Sequence, residues 1–292
     1  MLNVPHEFVA DDPRFSELFD HPRDVDDPVV AATLIGEYLD ARVRASVDLQ
    51  RRQVVLLSGG VDSIVLLAAL VRAFGPEPLR AVTVSGPTGG VDTDAARAVA
   101  DHLSVEHVSV TLDPVDLIAR TRAAIATLEC DELWEVGAAV VLRAAVDAFG
   151  GPSPDLQVWT GDSADAIFSI GGRWPLHASL SMDDLSSAQQ TRWEALLSSE
   201  RLVPDFHARV IDDEVWNAYG TREAAAIAVR MHGDALFGGD KPKEALRTLA
   251  EQLGIPSEYA RRPKAPMQTS SGLFDGLLAA ARASVASLPN AD

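Results

Sequence analysis

Cysteine is nearly absent from this chain: Cys130 stands alone among 292 residues. A single thiol excludes a disulfide framework and a cysteine-rich zinc site. The seven histidines are dispersed, with no His-Glu-x-x-His pattern, so metal ligation by histidine is not expected. Basic side chains are also scarce: 43 acidic against 25 basic residues leave a formal net charge of −18. A field of that sign repels nucleic acid unless a local patch overrides it. Adjacent basic pairs occur only at Arg51-Arg52 and Arg261-Arg262, and neither extends into a stripe. Long apolar runs are missing as well. The longest, over 64–71, falls far short of the roughly 20 residues that a membrane span needs. The opening MLNVPHEFVADDP has no basic stretch followed by an apolar one, so it does not read as a secretory signal. These absences predict a cytoplasmic protein with neither a membrane nor nucleic acid as partner.

What is present is an apolar fraction of 47%, enough to bury a full core. Residues 1–27 carry many Asp, Pro and His and little periodicity, and are expected to wrap the surface or form a short entry element. Val30, Leu34, Tyr38 and Ala41 step at helical spacing, predicting a helix over 29–45. Strands are then expected over 53–57, 79–84, 105–110 and 156–160. Helices are expected over 63–74, 93–103, 114–128 and 132–149, with Asp92 as an N-cap. Such alternation predicts an α/β fold with a parallel, doubly wound sheet. Past residue 179 no strand is evident, and helices are expected over 188–198, 213–219, 223–231, 243–253, 257–261 and 273–288. The expected division is an N-terminal extension over 1–50, an α/β domain over 51–180, and a helical part over 181–292 that shares its cleft.

The strongest chemical signal is Ser58-Gly59-Gly60-Val61-Asp62-Ser63, lying between the first strand and an apolar helix. Two glycines let backbone N–H groups approach a ligand closely. The helix N-terminus adds unpaired donors and the positive end of a dipole. The result is an anion nest suited to pyrophosphate, with the Ser58 and Ser63 hydroxyls as extra donors. Asp62 suits this nest if Mg²⁺ accompanies the phosphates. The plain alternative is a tight strand–helix turn. Neither GxxxxGK[ST] nor GxGxxG occurs, which excludes a γ-phosphate-transfer loop and a dinucleotide fingerprint.

Residues 54–67 resemble the PP-loop of ATP pyrophosphatases, which cleave ATP between the α- and β-phosphates. A second segment, Val158-Trp159-Thr160-Gly161-Asp162-Ser163-Ala164-Asp165-Ala166-Ile167-Phe168, is similar to the second signature of asparagine synthetases, with Gly171-Gly172 near the expected place. A third succession resembles the same family: Lys243-Glu244-Ala245-Leu246-Arg247, then Leu253-Gly254-Ile255-Pro256, Arg261-Arg262-Pro263-Lys264 and Gln268-Thr269-Ser270-Ser271-Gly272. The resemblance spans about residues 50–275 and points to the synthetase domain of that family. It implies a PP-loop fold and ATP with Mg²⁺ as cofactors. It also implies phosphate binding by Lys243 and a catalytic role for Lys264.

The residues can also be read on their own chemistry. Thr160 and Gly161 end a strand beside the first one, so their loop faces the same sheet edge as the PP-loop. Asp165 then shares Mg²⁺ with Asp62, or simply caps a short helix. Asp162 binds substrate or a proton, or is a solvated loop carboxylate. Asparagine synthetases carry Glu at its position and β-lactam synthetases Tyr, and Ala166 replaces an expected acidic residue. Lys264 reaches the cleft to offset charge on pyrophosphate and on the acyl oxygen, or lies on the surface. Lys243 binds phosphate, or is an exposed helix lysine. Val84 and Ser85 meet adenine and ribose, or merely pack. Asp131 and Glu132 form a solvated acidic turn or contact a substrate amine, and Cys130 is expected to be buried and inert.

The resemblance implies an AMP-forming carbon–nitrogen ligase acting on a small carboxylate with ammonia or an amine. Asparagine synthetases that use glutamine begin with a glutaminase domain built on an N-terminal cysteine, and no such cysteine precedes Cys130. A stand-alone member without glutaminase activity is expected, with a separate glutaminase or biosynthetic protein as partner. Other readings are an intramolecular cyclase like the β-lactam synthetases and a non-catalytic ATP-binding partner of another synthetase. A sulfur-transferring or tRNA-modifying enzyme would want a basic face and reactive cysteines.

Overall fold

Short runs of valine, leucine and tryptophan build the centre of the molecule, as they must where a strand is covered on both faces. The computed structural model describes residues 16–90, 92–169, 181–197, 205–238, 241–263 and 267–286. After a 3₁₀ turn at Ser16–Asp20, α1 covers Pro28–Ser46. There follow β1 (Arg52–Leu56), α2 (Val61–Phe74), β2 (Leu79–Ser85), α3 (Thr93–His102), β3 (Glu106–Thr111), α4 (Pro114–Leu128), α5 (Leu133–Asp147), β4 (Leu156–Thr160) and α6 (Ala164–Ser169). The chain continues through α7 (Met182–Leu197), α8 (Asp205–Ala208), β5 (Val215–Asn217), α9 (Arg222–Val229) and α10 (Gly233–Leu236). Its last elements are β6 (Phe237–Gly238), β7 (Lys241–Pro242), α11 (Glu244–Gln252), α12 (Ser257–Ala260), α13 (Met267–Ser270) and α14 (Leu273–Ala286).

Helix α1 begins where expected because the Asp27 carboxylate accepts from Val29 N at 2.8 Å and Pro28 takes the first helical position. Its inner stripe, Ala31, Ile35, Leu39 and Val43, is fully buried. The sheet is parallel throughout, in the order β3-β2-β1-β4-β5. Val54 of β1 pairs with Arg80 on one side and Val158 on the other. One apolar core joins α1, α2 and α3 to Trp159, Tyr219, α9 and α11. A second core, on the other face, joins β2, α4 and α5 to Phe206, Val210, Ile211 and Leu273. Both cores therefore draw on residues before and after position 180. Buried polar side chains between strands are satisfied: Trp159 Nε1 donates to Gln53 Oε1 at 2.8 Å, and Gln157 Nε2 donates to Ser46 O at 2.8 Å.

The structure corrects three expectations. The helix expected over 213–219 is instead strand β5, which extends the sheet through Val158↔Val215 and Thr160↔Asn217. Seven residues are too few to separate a helical from a strand period, and the open edge of β4 decided the matter. Strands therefore do occur past residue 179, since β6 and β7 also pair there, antiparallel. Asp92 does stand at the N-cap of α3, but its side chain makes no capping bond; it is buried and its carboxylate accepts from Arg262 Nη1 at 2.6 Å. Strand β3 is half exposed, because it is the edge strand and only one face is well covered.

Candidate active site

The strand order reverses at β1: β2 and β3 lie on one side, β4 and β5 on the other. A crevice forms outside the carboxyl ends of the strands at such a switch point, and ligands of open parallel sheets bind there. The two loops flanking it are residues 57–60, between β1 and α2, and residues 161–163, after β4. The two signature segments thus meet in space, about a hundred residues apart in sequence.

The first loop is bent by its own chemistry. Gly59 has φ +68°, and a Cβ there would come within 2.8 Å of Asp92 O. Ser63 is buried in the first turn of α2. Its hydroxyl accepts from Ser58 N at 3.1 Å, donates to Gly60 O at 3.1 Å and lies 3.2 Å from Ser58 Oγ. It therefore shapes the loop from inside. The second loop presses on the first: a Cβ on Gly161 would lie 2.9 Å from Ser63 N. Only glycine lets the β4 loop come so close. Asp162 N donates to Thr160 Oγ1 at 3.2 Å, which turns the chain sharply after the strand.

Asp62 projects between these loops. Its Oδ2 accepts from Lys243 Nζ at 2.6 Å, and its backbone oxygen accepts from Tyr219 Oη at 2.8 Å. Its Oδ1 is buried and has no hydrogen-bond partner among the described residues. A buried carboxylate oxygen left bare is a hard ligand suited to Mg²⁺, so the donor set fits the cation that the loop implies. Asp165, exposed in the first turn of α6, is the second acidic group on this edge. Among the described residues no group of three or more His, Cys, Asp or Glu side chains is arranged to hold a metal without help from a ligand.

Asp162 is exposed in the loop after β4, yet protein atoms near its carboxyl still take part of its water away. That desolvation pushes its pKa up. The charge of His207 and the Thr160 hydroxyl pull it down, while the Asp165 and Glu135 carboxylates push it up further. Tyr219 is wholly buried, which raises its phenol well above the usual range and keeps it a hydrogen-bond donor.

The remaining expected site residues are placed as follows. Lys243 has left-handed backbone, φ 65°, immediately before α11, and this turns its side chain to Asp62 instead of along an exposed helix face. Arg247 is buried and donates to Pro242 O, Ala260 O and Arg262 O, tying α11 to the segment before Lys264. Lys264 itself and Gly171-Gly172 lie outside the described residues. Val84 and Ser85 are buried at the end of β2, with Ser85 Oγ 3.2 Å from Thr111 Oγ1. Just beyond them, Gly86 N donates to Ser271 O at 2.8 Å, so the third signature segment covers this end of the sheet. Cys130 is half buried against the second core.

Sequence reading missed Asn217 and Tyr219, because the strand that delivers them was not foreseen. Asn217 Nδ2 donates to Ser163 Oγ at 3.0 Å, and its Oδ1 accepts from Tyr219 N and Gly220 N. One side chain thus fixes the β4 loop to the turn that carries Tyr219 beneath Asp62. Reading also passed over Glu135 and His207, which carry no local motif.

A parallel sheet with a glycine-rich anion loop and an acidic strand-end loop at its switch point defines a nucleotide-binding α/β protein of the PP-loop class. The chain belongs to the asparagine synthase family, whose model, described as asparagine synthase, matches residues 34–224. It is 25% identical over 218 residues to the carboxyethyl-arginine beta-lactam-synthase of Streptomyces clavuligerus. That match covers 75% of this chain and 40% of the relative, so the chain spans less than half the relative's length. Among solved structures it is similar to the NMN synthetase from Francisella tularensis, at 14% identity over 82% of this chain and 98% of that one, with a TM-score of 0.35. It is also similar to the NH3-dependent NAD synthetase from Campylobacter jejuni, at 16% identity over 64% and 94%, with a TM-score of 0.37. No described helix is long and apolar enough to cross a membrane.

Proposed function

We propose that the protein is an ATP-dependent ligase that forms amide bonds. A substrate carboxylate attacks the α-phosphorus of ATP, and pyrophosphate leaves. A nitrogen nucleophile then attacks the acyl-adenylate, and AMP leaves. Two steps are needed because a free carboxylate is a poor electrophile. The observation that carries this reading is the meeting of the Ser58–Ser63 loop with the β4 loop around Asp62, in a member of the asparagine synthase family.

In this reading the Ser58, Gly59, Gly60 and Ser63 backbone cradles pyrophosphate, and Val84 and Ser85 border adenine and ribose. Asp62 and Asp165 would hold Mg²⁺, a role supported by the bare Asp62 Oδ1. When bound, Mg²⁺ neutralises phosphate charge. Lys243, paired with Asp62 at 2.6 Å, is close enough to move to a phosphate oxygen when nucleotide arrives. Lys264 follows Arg262, whose bond to Asp92 anchors that segment beside Gly59; we assign it the charge developing on pyrophosphate and on the acyl oxygen. The nitrogen comes from ammonia, a substrate amine or a separate glutaminase.

The likeness to a beta-lactam-synthase favours a second reading, in which the nitrogen and the activated carboxylate belong to one molecule. Product mass separates the two, since ring closure adds no external nitrogen. The test of both is the nucleotide product. AMP with pyrophosphate is expected in the presence of a competent acid, and ADP with phosphate would overturn the mechanism.

A further inference from the structure

Amide formation leaves a proton to be removed. When a neutral amine attacks an acyl-adenylate, its lone pair forms the C–N bond, the C–O bond to AMP breaks and that electron pair departs with AMP. The nitrogen then carries one N–H too many. A base beside the β4 loop is therefore required by the reading above, on which this inference rests.

Outside the phosphate-binding groups, one titratable cluster meets that need. His207 lies on α8. Its Nε2 stands 2.9 Å from Glu135 Oε2, and both side chains are about three-quarters buried, at 23% and 24% exposure. The contact has ion-pair distance but not the angle of a formed hydrogen bond. Among the described residues Nδ1 makes no hydrogen bond. Trp134, next to Glu135, meets the Phe274 ring edge-on at 5.3 Å, and Ser271 O shortly before Phe274 accepts from Gly86 N at the carboxyl end of β2, so the cluster lies on the crevice side of the sheet. Phe206, packed edge-on to the imidazole at 5.2 Å, belongs to the second apolar core, so the ring is backed by fixed structure.

We propose that His207 takes the proton from the attacking nitrogen, at Nδ1, and passes it to water. An imidazole is the side chain whose ordinary pKa suits this exchange near neutral pH. Glu135 beside Nε2 stabilises the imidazolium that forms. Glu135 is thereby a positioning residue, acting on His207 from the first turn of α5. The arrangement needs both parts of the chain: Glu135 comes before position 180, His207 after it.

The experiment separates the two half-reactions. ATP–pyrophosphate exchange is measured with a panel of free amino acids and dicarboxylic acids, and amide formation with ammonium and small primary amines. His207→Gln and His207→Ala are compared with the unaltered protein, with thermal melting as the folding control. Amide formation is expected to fall by about 10²–10⁴-fold, the usual worth of a general base, with little change in exchange. Added imidazole is expected to restore part of the rate in His207→Ala, which a structural role would not allow. Glu135→Gln should show a smaller loss on the same half-reaction. Equal losses in both half-reactions, or no rescue by imidazole, would overturn the assignment of His207 alone. Absence of acid-dependent exchange in the unaltered protein would instead overturn the ligase reading, and this proposal with it.

Discussion

The two loops at the switch point are built on different principles. The Ser58–Ser63 loop is nearly self-contained: its glycine turn, its Ser63 brace and its helix N-terminus come from six consecutive residues. The β4 loop is short and owes its shape to others. Asn217 holds Ser163 from β5, and Gly161 rests against Ser63. Glu135 on α5 pairs with His207 on α8, and the charges of both act on Asp162. A local motif can be read from sequence because its hydrogen bonds close within it. A loop completed by distant residues cannot.

The largest test of this contrast lies in Asp62, whose backbone Gly161 packs against. Asp62→Asn is expected to lower turnover by at least about 10²–10³-fold, the loss typical of one preorganised charge. The fold should remain intact, because the Tyr219 hydroxyl bonds the Asp62 backbone and not its side chain. Steady-state pyrophosphate release and circular dichroism together check this. A normal rate would remove Asp62 from the site.

The two glycines give the next effect. At Gly59 an alanine meets both a left-handed φ and the Asp92 carbonyl; at Gly161 it meets only the Ser63 amide, with no unfavourable φ. Gly59→Ala should cost the sum of a backbone and an overpacking penalty, about 2–5 kcal/mol. Gly161→Ala should cost about 1–3 kcal/mol by overpacking alone, and should weaken ATP binding by displacing the first turn of α2. Chemical denaturation and nucleotide titration measure the two. Equal stability losses would mean that the first loop relaxes more freely than its geometry implies.

Asn217→Ala comes third. It leaves the amides of Tyr219 and Gly220 and the hydroxyl of Ser163 without their partner, at about 1–3 kcal/mol. The loss should appear as lower melting temperature and as misplacement of the β4 loop, with the Ser58–Ser63 loop unaffected. Hydrogen exchange resolves the two loops separately.

The smallest effect is a pH dependence. The folded protein raises the pKa of Asp162, chiefly by desolvation. Folding therefore favours its neutral form. Stability from this group is present below the ordinary carboxylate pKa and declines as pH rises through the elevated folded value. Asp162→Asn should accordingly raise the melting temperature at pH 7 and leave it nearly unchanged at pH 3. A variant less stable at pH 7 would show that the carboxylate's bonds outweigh its desolvation.

The sequence by itself determined the sheet from β1 to β4, the Ser58–Ser63 loop and the acidic loop after β4. Each of these is written in contiguous residues, as an apolar run, a glycine pair or a capped helix. Asp27 and Pro28 set the start of α1, and Gly75 its neighbour's end. Tertiary structure alone decided the rest. Val215–Asn217 became a strand because β4 had a free edge with unpaired backbone groups, which no local pattern announces. Asp92 holds the N-cap position, but its carboxylate bonds Arg262, distant in sequence, instead of the helix amides, because that charge-assisted bond lies in a buried place. Lys243 met Asp62, and Glu135 met His207, only because the two apolar cores draw residues from both ends of the chain to one sheet. Hydrophobic burial is non-directional and indifferent to sequence separation, so the pairs it brings together cannot be read from spacing.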